Sequence, residues 1–133
     1  MRRIATALAA AAMLLAGTSA QAKPRLTPEQ RLAKMLEGRE AGKPTSCINS
    51  WDSRDMTVLD KTALVFRSGS TLWVNRPDNA SRLDDDDILV THTTGSQLCR
   101  LDIMHTVSRT SGITTGFINL GDFVPYKKVA KGN

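Results

Sequence analysis

Apolar residues follow three patterns along this chain. Behind Arg2-Arg3, the run from Ile4 to Ala16 is uncharged, and Gly17-Thr18-Ser19 ends it before Ala20-Gln21-Ala22. From Thr27 onward, apolar positions recur at helical spacing. After Pro44 the chain breaks into short runs rich in β-formers, separated by Gly, Pro, Asn and Asp.

The second pattern predicts one amphipathic helix. Thr27-Pro28-Glu29-Gln30 is a capping-box start, with Pro at the first helical position and an acid in the first turn. Leu32, Met35 and Leu36 fall on one face, with Lys34 and Glu37 off it. Gly38 is a weak point, and Gly42 and Pro44 stop the pattern, so the expected helix covers 28–41. Met35 reads as core filling.

The third pattern predicts antiparallel strands. Cys47-Ile48 is a short one, followed by a turn over Trp51–Asp55. Ala63–Phe66 and Thr71–Val74 flank Ser68-Gly69 as a hairpin. That turn pairs Val65 with Leu72, Ala63 with Val74 and Leu64 with Trp73. Both faces are apolar, so both need cover, one from the sheet closing on itself and the other from the helix. Arg76–Asn79 breaks the second strand, and Asn79-Ala80-Ser81 matches a glycosylation sequon. Ile88 to Thr93 turns back through Thr94-Gly95 into a long strand from Gln97 to Val107. This register pairs Val90 with Cys99 and Ile88 with Leu101. It sets Cys99, Leu101, Ile103 and Val107 inward, with Arg100, Asp102 and Met104 on the other face. Gly112 and Gly116 frame a loop before Phe117–Leu120 and Phe123-Val124, closed by Pro125. The expected fold is mainly β (α+β): a small antiparallel sheet or barrel with one N-terminal amphipathic helix.

The first pattern has the grammar of a secretory signal peptide, covering 1–22 with cleavage after Ala22. Its thirteen-residue apolar run is shorter than the about 20 residues a spanning helix needs. No transmembrane span is therefore expected after processing. Residues 23–133 form a single small β-rich domain with a basic C-terminal tail at Lys127, Lys128 and Lys131. The leader carries two of the 18 basic residues and none of the 13 acidic ones, which leaves the mature chain at +3. These charges are scattered without interleaved aromatics, which argues against nucleic-acid binding. Cys47 and Cys99 are the only cysteines. In an oxidising compartment they predict one disulfide. No CxxC pair or zinc-ligand spacing is present.

Candidate chemistry is sparse. Asp84–Asp87 lacks the alternating ligands, Gly and distal Glu of a calcium loop, so it reads as a solvated loop offset by Arg76 and Arg82. The predicted hairpin sets His92 and His105 about 26 Å apart and His105 opposite Asp84. That pair is either a sheet-end salt bridge or the base and orienter of a small hydrolase. There is no GxSxG elbow and no phosphate cradle before a helix. Trp51 and Tyr126 read as buried packing. No metal, cofactor or catalytic residue is assigned.

Three stretches together resemble a known family. They are Leu36-Glu37-Gly38-Arg39 running to Cys47-Ile48; Asn75-Arg76-Pro77 with Asp87–Thr91 and Gly95–Cys99; and Gly116-Phe117 with Gly121–Tyr126. The likeness is to small, exported, uncharacterised proteins of Gram-negative bacteria, a domain of unknown function. It implies a periplasmic (or secreted) location and carries over no activity. The expectation is a non-catalytic binding or envelope-associated module, whose partners are anionic envelope components or a periplasmic protein. The alternatives are the His105/Asp84 hydrolase and an inhibitor of a secreted enzyme.

Overall fold

The computed structural model describes residues 22–93 and 95–130. Apart from Ala22, the expected leader lies outside the described residues, as do Thr94 and Lys131. None of the described helices is long and apolar enough to cross a membrane.

Helix α1 runs from Pro28 to Leu36. Its start is the predicted capping box: Gln30 N donates to Thr27 Oγ1 at 3.2 Å and Thr27 N donates to Gln30 Oε1 at 2.9 Å. Its end comes earlier than expected. Gly38 takes the left-handed region at φ +68°, where glycine is little strained and a helix stops. Arg39–Ala41 then becomes strand β1, because Tyr126, Lys127 and Lys128 offer it an antiparallel partner.

The remaining strands are β2 (Cys47–Asn49), β3 (Met56–Leu59), β4 (Ala63–Ser68), β5 (Thr71–Asn75), β6 (Asp87–Thr91), β7 (Gln97–Cys99), β8 (Ile103–Ser108), β9 (Thr114–Asn119) and β10 (Phe123–Lys128). A 3-10 turn at Ala80–Arg82 separates β5 from β6. The expected single sheet is three antiparallel sheets, ordered β1-β10-β5-β4-β3, β2-β7 and β6-β8-β9.

The β4–β5 hairpin differs in register from the expectation. Val65 lies opposite Val74 and Phe66 opposite Trp73, so the two-residue loop is Gly69-Ser70. Gly69 supplies the positive φ of +55° at the first loop position. The shift is by two residues, so every side chain keeps its face. The five-stranded sheet is consequently apolar on both sides, as anticipated. Leu59, Val65, Leu72 and Val74 pack with Leu32, Met35 and Leu36 of α1 on one side. On the other, Leu64, Phe66 and Phe123 pack against Ile48, Leu98, Met104 and Ile118 from the two smaller sheets. The molecule is thus layered as helix, large sheet, small sheets.

The long strand expected over 97–107 is broken. Leu101 adopts φ +71° and its N–H donates to Leu120 O at 2.9 Å. The Asp102 carboxylate accepts Cys99 N at 2.7 Å. This kink sends β7 to pair with β2 and β8 to pair with β6. It also inverts the expected faces: Met104 and Thr106 are buried, while Leu101 and Ile103 are 65% and 50% exposed. The final strand passes through Pro125 instead of ending there. Pro125 uses its carbonyl, accepting Gly42 N at 2.7 Å, and its missing N–H falls on that same side, past the end of β1. Lys127 and Lys128 are accordingly strand residues.

Candidate functional site

Alternation in β8 creates a surface. With Met104, Thr106 and Ile118 turned into the core, Ile103, His105, Val107 and Phe117 must point out. Register completes the rows: Ile88 beside Val107, and Val90 beside His105 beside Phe117. Ile88, Ile103 and Phe117 are 42%, 50% and 46% exposed. Nothing among the described residues covers this face, where three exposed large apolar side chains lie on one sheet, while Trp51, Leu101 and Ile113 are exposed elsewhere.

The two histidines lie on or beside it. Because β8 pairs with β6 from Thr91↔Met104 backward, His92 follows diagonally from His105, and their ring centroids are 6.4 Å apart. The wide separation expected from the sequence is therefore corrected. So is the His105–Asp84 pairing. His105 lies opposite Val90 and Phe117, whereas Asp84 precedes β6, whose first residue Asp87 lies opposite Ser108. No hydrogen bond joins His105 to a carboxylate among the described residues, so the base-and-orienter geometry is not assembled.

A polar cavity of about 290 Å³ opens at the other end of β8, lined by Arg82, Asp84, Asp87, Thr106, Ser108 and Thr115. A bulge between Thr106 and Val107 shapes it. The Thr115 hydroxyl donates to Asp87 Oδ2 at 2.7 Å and lies 2.8 Å from Thr106 Oγ1. Its single proton goes to the carboxylate, so Thr106 donates the second bond. The lining holds a guanidinium, carboxylates and hydroxyls, and no imidazole or thiol.

The acidic run is divided among neighbours. Asp60, Asp84 and Asp85 bring one oxygen each within 4.8 Å of one another, with Asp60 an addition that sequence spacing could not show. Arg31 lies 3.9 Å from Asp85 and Lys61 lies 3.2 Å from Asp60. Arg76, expected to offset the run, instead binds Glu29 through two contacts of 2.8 and 3.2 Å. That hydrogen-bonded guanidinium lowers the Glu29 pKa below its ordinary value, and the carboxylate raises that of Arg76.

Cys47 and Cys99 are register partners in the β2–β7 pair and are bridged, across a sequence separation of 52. Their neighbours Ile48 and Leu98 take the inward positions, so the bridge is half-buried on the other face. Trp51, expected inside, is 69% exposed with the Arg54 guanidinium 3.7 Å above its ring. Tyr126 packs against the helix-side core. The edge pair β1–β10 sets Arg39 directly opposite Lys128, a basic patch.

Fold and surfaces together define a small, disulfide-braced, mainly antiparallel β domain with one α-helix among the described residues. No family model matches the chain, and neither a curated protein nor a solved structure matches it significantly.

Proposed function

We propose that this chain is exported to the periplasm, loses Met1–Ala22, and works as a non-catalytic binding module. The outer face of the β6-β8-β9 sheet is its contact surface. The supporting observation is the uncovered row Val90, His105, Phe117 with Ile88 and Ile103 beside it. A contiguous apolar patch on a small domain marks an interaction site when no neighbouring element covers it.

A photo-crosslinking amino acid at Ile103 or Phe117 tests this in intact cells, with Lys61 as the control position. Adducts at Ile103 and Phe117 that are missing at Lys61 are expected. Equal labelling at all three positions, or none at any, would reject the face as the contact surface. The intact mass of the exported protein should match a chain beginning at Lys23, and a product retaining Met1 would reject the export reading.

A second reading has its own observation. Arg39 opposite Lys128, with Lys127 next in the strand and only Glu40 set against it, leaves one sheet edge net positive. Such an edge suits anionic phosphates or carboxylates of the envelope, with attraction screened over about 8 Å at physiological salt. Co-sedimentation with envelope fractions should then fall as salt rises and with Lys127→Ala and Lys128→Ala, while His105→Ala leaves it intact. Turnover in a hydrolase screen that disappears in His105→Ala would favour the enzyme alternative.

A further inference from the structure

Two strand edges are open across one groove. β3 is the last strand of the five-stranded sheet and β6 the first of the three-stranded one. Hydrogen-bond phase shows where their free groups point. Arg67 N donates to Asp55 O, one step beyond the Met56↔Phe66 pair. Bonded pairs alternate in an antiparallel ladder. Thr57 and Leu59 therefore bond to β4, while Met56 and Val58 turn their N–H and C=O away from it.

β6 has the same alternation. Ser108 N donates to Ile113 O, so Ser108 faces β9 and not its other partner Asp87. Ile88 and Val90 then bond to β8, and Leu89 turns its backbone outward. Among the described residues, no backbone hydrogen bond reaches Met56, Val58 or Leu89 from the outer side.

The groove measures about 480 Å³. The half-buried side chains of Met56, Val58 and Leu89 form its floor, and Asp85, Asp87, Ile88 and Arg109 stand around it. Open edges are normally blunted by charge or proline. The β1 edge carries Arg39 and Glu40, but β3 reads Met-Thr-Val-Leu and has neither. The rim, extended by Asp86, is acidic although the chain as a whole is basic.

We propose that this groove takes an extended, cationic peptide segment of a partner as an added strand. Main-chain bonds to Met56 and Val58 hold it, its apolar side chains rest on the floor, and a Lys or Arg meets Asp85 and Asp87. Strand addition to an open edge draws affinity from the main chain and specificity from alternate side chains. A second copy of this chain is disfavoured as occupant, because pairing two such edges brings the acidic rims together. The groove adjoins the outer sheet face at Ile88, but the open β3 edge that would hold the peptide lies on the five-stranded sheet, away from Ile103 and Phe117.

Fluorescence anisotropy with a labelled Lys-Val-Thr-Val-Lys-Val peptide tests it on the mature protein. Saturable binding that weakens with salt is expected. Val58→Pro removes an outward N–H that β4 does not use, and should weaken binding at least about tenfold. Asp85→Asn should weaken it several-fold, and Phe117→Ser should leave it unchanged. A peptide with proline at its centre, or Glu in place of Lys, should fail on the unaltered protein, which keeps the test intact if Val58→Pro does not fold. No saturable binding, equal binding of the proline peptide, or concentration-dependent self-association that blocks the peptide would each overturn the proposal.

Discussion

Asn75 and Gly121 are hydrogen-bonded to each other twice: Asn75 Nδ2 donates to Gly121 O at 2.7 Å, and Gly121 N donates to Asn75 Oδ1 at 3.0 Å. Asn75 ends β5, opposite Leu64 on one side and Phe123 on the other, and is fully buried. Its amide thus fastens the β9–β10 connection to the centre of the large sheet. A Cβ on Gly121 would lie 2.6 Å from the Arg76 carbonyl oxygen. Asn75→Ala leaves the half-buried N–H and C=O of Gly121 without their partner and should cost about 1–3 kcal/mol. Gly121→Ala should destabilise by steric conflict with rigid backbone. Urea unfolding checks both, with the exposed Ser81→Ala as a neutral control.

Reduction of the Cys47–Cys99 bridge should be costly. The bridge closes a loop of about fifty residues, worth at most about 4 kcal/mol by loop-closure entropy. Cys47→Ser should lower the melting temperature and leave Cys99 reactive toward alkylating reagents. Two free thiols in protein isolated from the periplasm would contradict this.

Gly38 and Gly95 separate backbone effects from packing. A Cβ added at either would meet no atom within 4 Å, but only Gly38 has positive φ. Gly38→Ala should therefore destabilise by about 1 kcal/mol or more through strain alone. Gly95→Ala should be neutral or slightly stabilising. Thermal melts of the two variants give the comparison.

The Glu29–Arg76 pair makes the docking of α1 sensitive to acid. Glu29 has a folded pKa below its unfolded one. The stabilisation it contributes is therefore fully present above the ordinary carboxylate range of about 4, and is lost as pH falls through the lowered folded value. Both groups are exposed, so the effect is small and salt-sensitive. Carboxyl chemical shifts of Glu29 should titrate at lower pH in the native chain than in Arg76→Ala, and an unchanged midpoint would remove the pair from the account.

What the sequence determined by itself was local or combinatorially simple. Thr27 and Gln30 satisfy each other within one turn, so the helix start was legible. Cys47 and Cys99 had no competing partner. The two-faced apolar pattern of Ala63–Phe66 and Thr71–Val74 required a layer on each side, and a register error of two residues did not alter that requirement. The tertiary structure decided wherever a distant partner outweighed a local pattern. Arg39–Ala41 continues a helical pattern but gains strand bonds from β10. Leu101 carries no glycine to announce its left-handed backbone, and its N–H is claimed by Leu120, far along the chain. That one kink separates β7 from β8, turns Ile103 and Phe117 outward, brings His92 to His105 and parts His105 from Asp84. The candidate surface was hidden in the sequence because strand alternation assigns faces only once the starting phase is known, and contacts remote in sequence set that phase.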